Sequence, residues 1–236
     1  FFFQAEDGIR DDLVTGVQTC ALPILPGLFV SFEGGEGSGK STQITRLEAR
    51  LRSLGFEPFV TREPGGTPLA EAIRGVLLDP AHRPGPVSEA MLMLAARADL
   101  VSTTLRPALE AGRVVLCDRY GDSTLAYQGG GRGLKATQLA DWNHVATGGL
   151  MPDLTLLFDV TPELGLARRA NAVGTANRID LESESFHARV RHRYLEMAAA
   201  EPERFVVLDA AQSPDTLEAQ VWGAVSLRLP ALPDPA

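Results

Sequence analysis

The stretch EGGEGSGKST, residues 33 to 42, decides the fold of this chain. The apolar run LFVSF precedes it, and the helix-like segment TQITRLEARLRSL follows it. Gly34, Gly39, Lys40 and Ser41 have the spacing of a phosphate loop, which requires a strand before it and a helix after it. Its glycines let the backbone curl so that successive N–H groups point at phosphate oxygens. The stretch therefore predicts a nucleotide-binding α/β domain.

The two residues that end this pattern have separate predicted tasks. We expect the ammonium group of Lys40 to reach the β and γ phosphates, and the hydroxyl group of Ser41 to hold Mg²⁺. The alternative is an ordinary glycine turn with a solvated lysine. In that case the match at all four fixed positions is a coincidence.

Composition favours a soluble cytoplasmic protein. Its 236 residues are 44% hydrophobic, and no apolar run approaches the roughly 20 residues that span a membrane. The net charge of −8 argues against a general nucleic-acid-binding surface. The two cysteines cannot build a disulfide framework, and Cys117 in the run VVLCD is interpreted as a buried thiol.

The two ends of the chain do not share the pattern of its middle. Residues 1 to 25 lack a basic segment, and their apolar portion ALPIL is too short for a signal peptide. We interpret them as a non-native extension; a native disordered arm is the alternative. We expect one folded domain over residues 26 to 228 and a disordered, proline-rich tail over 229 to 236.

Five continuous apolar runs predict the strands of the domain. They lie at 28 to 33, 57 to 62, 113 to 118, 154 to 160 and 204 to 209. Continuous apolar runs are typical of parallel strands that are covered on both faces, and periodic helical segments fill the gaps here. We therefore predict a doubly wound, five-stranded parallel sheet with helices on both faces and its ligand site at the carboxyl ends of the strands.

Charged residues follow two of these runs at that edge. Asp118 ends the third run and is predicted to help organise Mg²⁺, with a turn-capping aspartate as the alternative. Arg119 follows it, and Arg62 ends the second run. Two guanidinium groups at one sheet edge predict a clamp for a second anion, with surface salt bridges as the alternative.

The segment ARRANAVGTANRID carries Arg168, Arg169 and Arg178 and predicts a lid over about residues 168 to 182. Phosphoryl transfer between two phosphates needs no general base, because the acceptor oxygen is already anionic. It needs alignment, cations and exclusion of water, which arginines on a closing lid would supply. A solvated loop is the alternative.

The motifs TREPGGT, DRY, STLAYQGGGRG and PDLTLLFDVTPELGL extend the argument to most of the chain. With the phosphate loop and the lid, the sequence resembles bacterial thymidylate kinases of the subtype with an arginine in the lid, from about Leu28 to Val225. The resemblance implies the P-loop nucleoside monophosphate kinase fold and transfer of the γ-phosphate of ATP to dTMP with Mg²⁺, for dTTP synthesis. It also implies a cytoplasmic homodimer.

The resemblance implies three groups of site residues. The implied ATP-binding residues are Gly34, Gly35, Glu36, Gly37, Ser38, Gly39, Lys40, Ser41 and Thr42, with Ala210 and Gln212 beside the adenine. The implied dTMP-binding residues are Glu36, Arg62, Met93, Arg97, Arg119, Ser123, Thr124, Tyr127 and Gln128. The implied catalytic residues are Lys40, Asp118, Arg119 and Arg178.

Within these groups the resemblance gives individual roles. Arg62 and Arg119 match the arginines of the acceptor phosphate, and Arg97 matches the arginine beside the base edge. Ser123 and Thr124 match positions that contact thymine. Tyr127 matches the tyrosine beneath the sugar, where it would crowd a ribose 2′-hydroxyl group. Glu36 matches the acid that reaches the 3′-hydroxyl group, and Arg178 is our choice for the arginine that meets the transferred charge.

Met93 departs from the family pattern, which often has Phe or Tyr stacked on thymine at this position. A thioether against a ring is worth about 0.3 to 1.5 kcal/mol, so we expect thymine to bind with weaker stacking. Plain core packing of Met93 is the alternative. Two other functions also stay open: a kinase for a different nucleoside monophosphate, and a nucleotide-dependent switch that merely holds or hydrolyses ATP.

Overall fold

The computed structural model describes residues 26–171 and 177–229. Its centre is one parallel sheet with the strand order β2-β3-β1-β4-β5. The strands are β1 (Leu28–Gly34), β2 (Phe59–Arg62), β3 (Val114–Asp118), β4 (Leu154–Asp159) and β5 (Phe205–Asp209). The predicted five-stranded parallel sheet is confirmed. The extension at 1–25, the centre of the predicted lid at 172–176 and the tail from 230 lie outside the described residues.

Helices cover both faces of this sheet. They are α1 (Lys40–Ser53), α2 (Pro68–Leu78), α3 (Pro86–Leu100), α4 (Arg106–Glu110), α5 (Gly121–Thr124), α6 (Ala136–Thr147), α7 (Pro162–Ala170), α8 (Glu184–Ala200) and α9 (Pro214–Ser226). Two π-helical segments, Val101–Leu105 and Leu125–Gly131, join α3 to α4 and extend α5. Within residues 26–171 and 177–229, none of the helices is both long and apolar enough to span a bilayer.

Strand β1 shows why the strands appear as continuous apolar runs. All seven of its residues are buried. Val30 and Phe32 belong to one hydrophobic cluster, which includes Leu47 of α1 and Val221 of α9. Phe29 points to the other face, into a cluster built with α4 and its neighbouring π-helical segment. Because side chains alternate along a strand, two covered faces favour apolar residues at most positions, and the buried polar residues Ser31 and Glu33 are hydrogen-bonded.

Polar side chains fix where several helices begin. The hydroxyl groups of Thr67, Thr161, Ser183 and Ser213 accept hydrogen bonds from the first turns of α2, α7, α8 and α9. Such caps satisfy backbone N–H groups that have no partner inside the helix. In register, Arg62 lies beside Asp118 and Gly34 beside Phe158. The carboxyl ends of β1 to β4 therefore meet at one edge of the sheet.

Candidate active site

The phosphate loop closes over the amino end of α1. Gly37 and Gly39 have φ angles of 65° and 88°, a backbone conformation that favours glycine. The ammonium group of Lys40 donates to the carbonyl oxygens of Gly34 at 3.2 Å and Gly35 at 2.9 Å. Burial, together with the nearby Arg119 cation, lowers the pKa of Lys40 to about 8. The loop thus holds its cation against its own carbonyl groups.

Ser41 and Asp118 form a pair of oxygen donors beside this loop. The hydroxyl group of Ser41 donates to Oδ2 of Asp118 at 3.3 Å. Oδ1 of Asp118 is buried and accepts no hydrogen bond from the described residues. A hydroxyl oxygen and an unsatisfied carboxylate oxygen suit Mg²⁺, which usually combines one or two protein ligands with waters and substrate phosphates. No cluster of three or more metal-ligating side chains occurs among residues 26–171 and 177–229.

Arg119 spans the space between the end of β3 and the phosphate loop. Its guanidinium group donates to the carbonyl oxygen of Gly34 at 2.9 Å and to Oε1 of Glu36 at 2.8 Å. The same group lies 4.9 Å from the centre of the Tyr127 ring, a cation–π distance. Its φ angle of 71° is unusual for a residue with a side chain. The surrounding contacts therefore hold Arg119 in a defined orientation.

Glu36, inside the loop, joins Arg119 to Tyr127. It accepts a hydrogen bond from the phenolic hydroxyl group of Tyr127 at 3.0 Å as well as the ion pair from Arg119. Burial alone would raise the pKa of Glu36, but the Arg119 and Lys40 cations outweigh this effect and lower it. Glu36 is therefore ionised at neutral pH.

Arg62, the second arginine of the predicted clamp, is more exposed than Arg119. About 55% of its side chain is accessible, and it pairs with Glu71 at 3.2 Å. Glu71 also accepts the backbone N–H group of Gly66 at 3.0 Å. An exposed ion pair of this kind contributes little to stability, so Arg62 can exchange Glu71 for another anion at small cost.

One cavity of about 450 Å³ brings most of the predicted residues together. This volume lies within the range of small-molecule sites. The predicted residues that line it are Glu36, Gly37, Ser38, Gly39, Lys40, Ser41, Thr42, Arg62, Met93, Asp118, Arg119, Ser123, Tyr127, Gln128 and Arg178. The cavity extends from the phosphate loop past Arg119 to Met93 and Gln128. It therefore offers two regions in which ligands could bind, one on each side of Arg119.

Arg97 and Thr124 do not line the cavity but pack next to it. Arg97 is only 1% exposed and pairs with Glu63 at 2.6 Å. Its other donors reach the hydroxyl group of Thr124, the amide oxygen of Asn143 and the carbonyl oxygen of Tyr120. These partners occupy the whole guanidinium group. In this structure Arg97 therefore lies directly behind the residues that line the cavity.

The lid arginines also have partners within the protein. Arg168 donates to the carbonyl oxygen of Ala210 at 2.7 Å, and Arg169 pairs with Asp180 at 2.9 Å. Arg178 pairs with the buried carboxylate of Glu89 at 2.6 Å and donates to the carbonyl oxygen of Leu77. A role for Arg178 at the transferred phosphate would require this pair with Glu89 to open.

Ala210 and Gln212 are not among the residues that line the cavity. Ala210 is buried and its N–H group donates to the carbonyl oxygen of Asp159 at 2.8 Å. Gln212 contacts Asp209 at 3.4 Å. The contact from Arg168 to Ala210 joins this turn to the cavity, because Arg168 itself lines it.

Sequence reasoning gave no role to two residues that organise the site. Glu89 of α3 is 1% exposed and accepts from Gln128 at 2.8 Å as well as from Arg178. Tyr194 of α8 is equally buried and contacts Ser123 at 2.8 Å. A carboxylate within the apolar helix α3 was the one available signal for Glu89; a lone tyrosine in α8 gave none.

The fold and the site together define a class of protein. The phosphate loop follows the central strand of a parallel sheet, Ser41 and Asp118 suit Mg²⁺, and Arg119 faces a second part of the cavity. These features define a phosphate-loop phosphotransferase of the nucleoside monophosphate kinase type.

Comparisons with known proteins narrow this class. The sequence model of the family described as thymidylate kinase matches residues 32–221. A thymidylate kinase of Deinococcus radiodurans is 54% identical over 202 residues, which are 86% of this chain and 98% of that protein. Thymidylate kinases of Thermomicrobium roseum and Pseudomonas fluorescens are 52% and 51% identical, over 84% and 88% of this chain and 94% and 97% of their own lengths. The chain belongs to the thymidylate kinase family.

Proposed function

We propose that this chain transfers the γ-phosphate of ATP to dTMP, giving ADP and dTDP, for dTTP synthesis and DNA replication. The position of Arg119 carries the proposal. Its guanidinium group bonds to Gly34 and Glu36 of the phosphate loop and lines the part of the cavity that leads to Met93 and Gln128. A cation between two anion sites suits transfer from one phosphate to another.

The phosphate loop would hold ATP. Backbone N–H groups from Gly34 to Thr42 cradle the phosphates, and Lys40 exchanges the carbonyl oxygens that it now contacts for the β and γ phosphate oxygens. Ser41 and Asp118 would hold Mg²⁺, which neutralises charge on those phosphates. Ala210 and Gln212 would lie beside the adenine, where Arg168 contacts Ala210.

The far part of the cavity would hold dTMP. Arg62 and Arg119 would bind its phosphate, and Tyr127 would lie beneath its sugar. Glu36, already bonded to Tyr127, reaches the 3′-hydroxyl group.

The thymine ring would lie against Met93, Ser123 and Gln128, which line the cavity. Arg97 and Thr124 support this wall from behind through their mutual hydrogen bond of 2.9 Å. A direct contact of either residue with thymine requires it to exchange one of its present partners.

The proposed transfer needs no general base, because a dTMP phosphate oxygen is already anionic. Lys40 and Arg119 align the two phosphates and stabilise the charge that spreads over the transferred group. Arg178 joins them once its pair with Glu89 opens. Closure of the lid arginines excludes water, which would otherwise compete as the acceptor.

We also propose that the chain is a cytoplasmic homodimer. Helix α2 packs against α3, and α3 packs against α6. The three helices carry exposed apolar side chains: Leu69, Val76, Val87, Met91 and Val145. Contiguous exposed apolar patches are typical of interfaces between proteins. Light scattering should give twice the mass of the chain; the mass of one chain would contradict the dimer. The cytoplasm is where a nucleotide for DNA synthesis is required.

The test of the proposed function measures ADP formation from Mg-ATP with single acceptors. We expect turnover with dTMP and much less with dUMP, dCMP, dGMP or AMP. Equal turnover without any acceptor would indicate a switch or a hydrolase instead. Preference for another monophosphate would keep the class but change the substrate.

A further inference from the structure

Glu33 is a buried acid that the proposed function does not use. It directly precedes the phosphate loop in β1, and its side chain is fully buried. Oε1 accepts the backbone N–H group of Tyr120 at 2.7 Å. Oε2 accepts the hydroxyl groups of Ser123 and Tyr194, both at 2.7 Å. Among the described residues no lysine, arginine or histidine forms an ion pair with this carboxylate.

All three donors to Glu33 adjoin Arg119. Tyr120 is the next residue in the chain, and the hydroxyl groups of Ser123 and Tyr194 each lie 3.4 Å from Nη1 of Arg119. These two hydroxyl oxygens are 2.8 Å apart. The carboxylate, the two hydroxyl groups and the guanidinium group therefore form one connected network.

The backbone of Arg119 needs such support. Its φ angle of 71° lies in the left-handed region, which a side chain disfavours unless the surroundings impose it. The N–H group of Arg119 bonds to the carbonyl oxygen of Phe32, and the next N–H group bonds to Glu33. Phe32 and Glu33, two successive residues of β1, thus fix the backbone turn that contains Arg119.

We propose that Glu33 is a positioning residue, which orients Arg119 toward the acceptor phosphate through Tyr120, Ser123 and Tyr194. The inference rests on the proposed function, because it concerns the phosphate of the acceptor. Glu33 does not line the cavity and touches no ligand itself. It also couples α8, the helix that follows the predicted lid, to the residue that would hold the acceptor.

Replacement of Glu33 by Gln separates this role from simple space filling. The carboxylate offers acceptors only, whereas an amide presents one oxygen and one NH₂ group. The backbone N–H group of Tyr120 can only donate a hydrogen bond, so the amide oxygen of the glutamine must face it. The NH₂ group then meets the Ser123 and Tyr194 hydroxyl groups, which must turn to accept. To accept, the two hydroxyl groups use the oxygen lone pairs that now face the Arg119 guanidinium group, so the support of Arg119 is weakened.

The test compares dTMP with thymidine, which has the same base and sugar but no phosphate. Binding of each to the full chain is measured by calorimetry at pH 8, above the pKa of about 7 to which burial raises Glu33. In Glu33→Gln we expect dTMP to bind on the order of tenfold more weakly, the value of one charge-assisted hydrogen bond. Thymidine should lose clearly less affinity than dTMP, because Ser123 is the only one of the rearranged groups that would also lie against the base. An equal loss for both ligands, or none for dTMP, would overturn the proposal.

Two further variants keep the test decisive. Tyr194→Phe removes one hydroxyl group and retains the ring, and should weaken dTMP alone by a smaller factor. If Glu33→Gln does not fold, an unchanged dTMP affinity in Tyr194→Phe refutes the proposal by itself.

In an Arg119→Met background, Glu33→Gln should cause no further loss of dTMP affinity, because the residue that it positions is already gone. Failure of the proposed function is distinct, because the wild-type protein would then form no ADP in response to dTMP.

Discussion

Gly37 of the phosphate loop and Gly165 of α7 are in direct backbone contact. A Cβ atom on Gly37 would overlap the carbonyl oxygen of Gly165, and one on Gly165 would overlap the carbonyl oxygen of Glu36. The helix that leads to the lid arginines thus packs against the loop that would hold ATP. Only two residues without side chains permit this approach.

We therefore expect Gly165→Ala to push the phosphate loop out of place. The KM for ATP should rise at least tenfold, and the protein should lose about 1–3 kcal/mol of stability through overpacking. Gly223→Ala in α9 is the matched control, because nothing lies within 4 Å of its added Cβ atom. Steady-state kinetics and urea unfolding measure both effects. A normal KM for ATP in Gly165→Ala would show that the contact is not needed.

Lys40→Ala should abolish phosphoryl transfer while dTMP binding stays measurable. The ammonium group is the cation that the loop supplies to the β and γ phosphates, whereas the acceptor site depends on other residues. Lys135, the only other lysine in the sequence, is exposed at the start of α6 and serves as the control when changed to Ala. Near-normal turnover in Lys40→Ala would refute the phosphate-loop assignment.

Tyr127 should control the preference for a deoxyribose through its ring. Tyr127→Phe loses the hydrogen bond to Glu36 but keeps the bulk, so the selectivity for dTMP over ribo-TMP should barely change. Tyr127→Ala removes the ring and should relax this selectivity. The ratio of kcat/KM values for the two acceptors measures the effect. An unchanged ratio in the alanine variant would exclude the steric explanation.

Met93→Phe should lower the KM for dTMP. Met93 lines the cavity on α3, and a phenyl ring stacks on a pyrimidine more strongly than a thioether does. A several-fold decrease corresponds to about 1 kcal/mol. A KM for dTMP that stays constant or rises would mean that Met93 serves core packing instead of base binding.

Glu33 should make stability depend on pH. Burial and the nearby Asp122 carboxylate raise the pKa of Glu33 to about 7, despite the Arg119 cation. The folded protein therefore binds this proton more tightly than the unfolded chain, so the stabilisation is complete at low pH and is lost as pH rises toward 8. Gln cannot titrate, so the stability of wild type relative to Glu33→Gln should fall by roughly 2–3 kcal/mol between pH 5 and 8. Urea unfolding at several pH values measures this difference, and a constant or increasing difference would contradict the pKa shift.

Strand positions were predictable because their causes are local. A strand covered on both faces is nearly continuously apolar, so all five runs could be located from the sequence. The second run was predicted two residues too long, at 57 to 62, whereas β2 begins at Phe59. Pro58 explains the difference, because proline has no N–H group to give to the sheet.

The sequence by itself determined the parallel sheet, the phosphate loop and the family, because these depend on hydrophobic periodicity and on short motifs with fixed spacing. Only the tertiary structure decided which charges meet. It buried Arg97 against Glu63, paired Arg178 with Glu89 and joined Glu33 to Tyr194, which is 161 positions away. Such pairs arise when helices pack on a sheet and bring distant side chains together, and no local pattern encodes that distance.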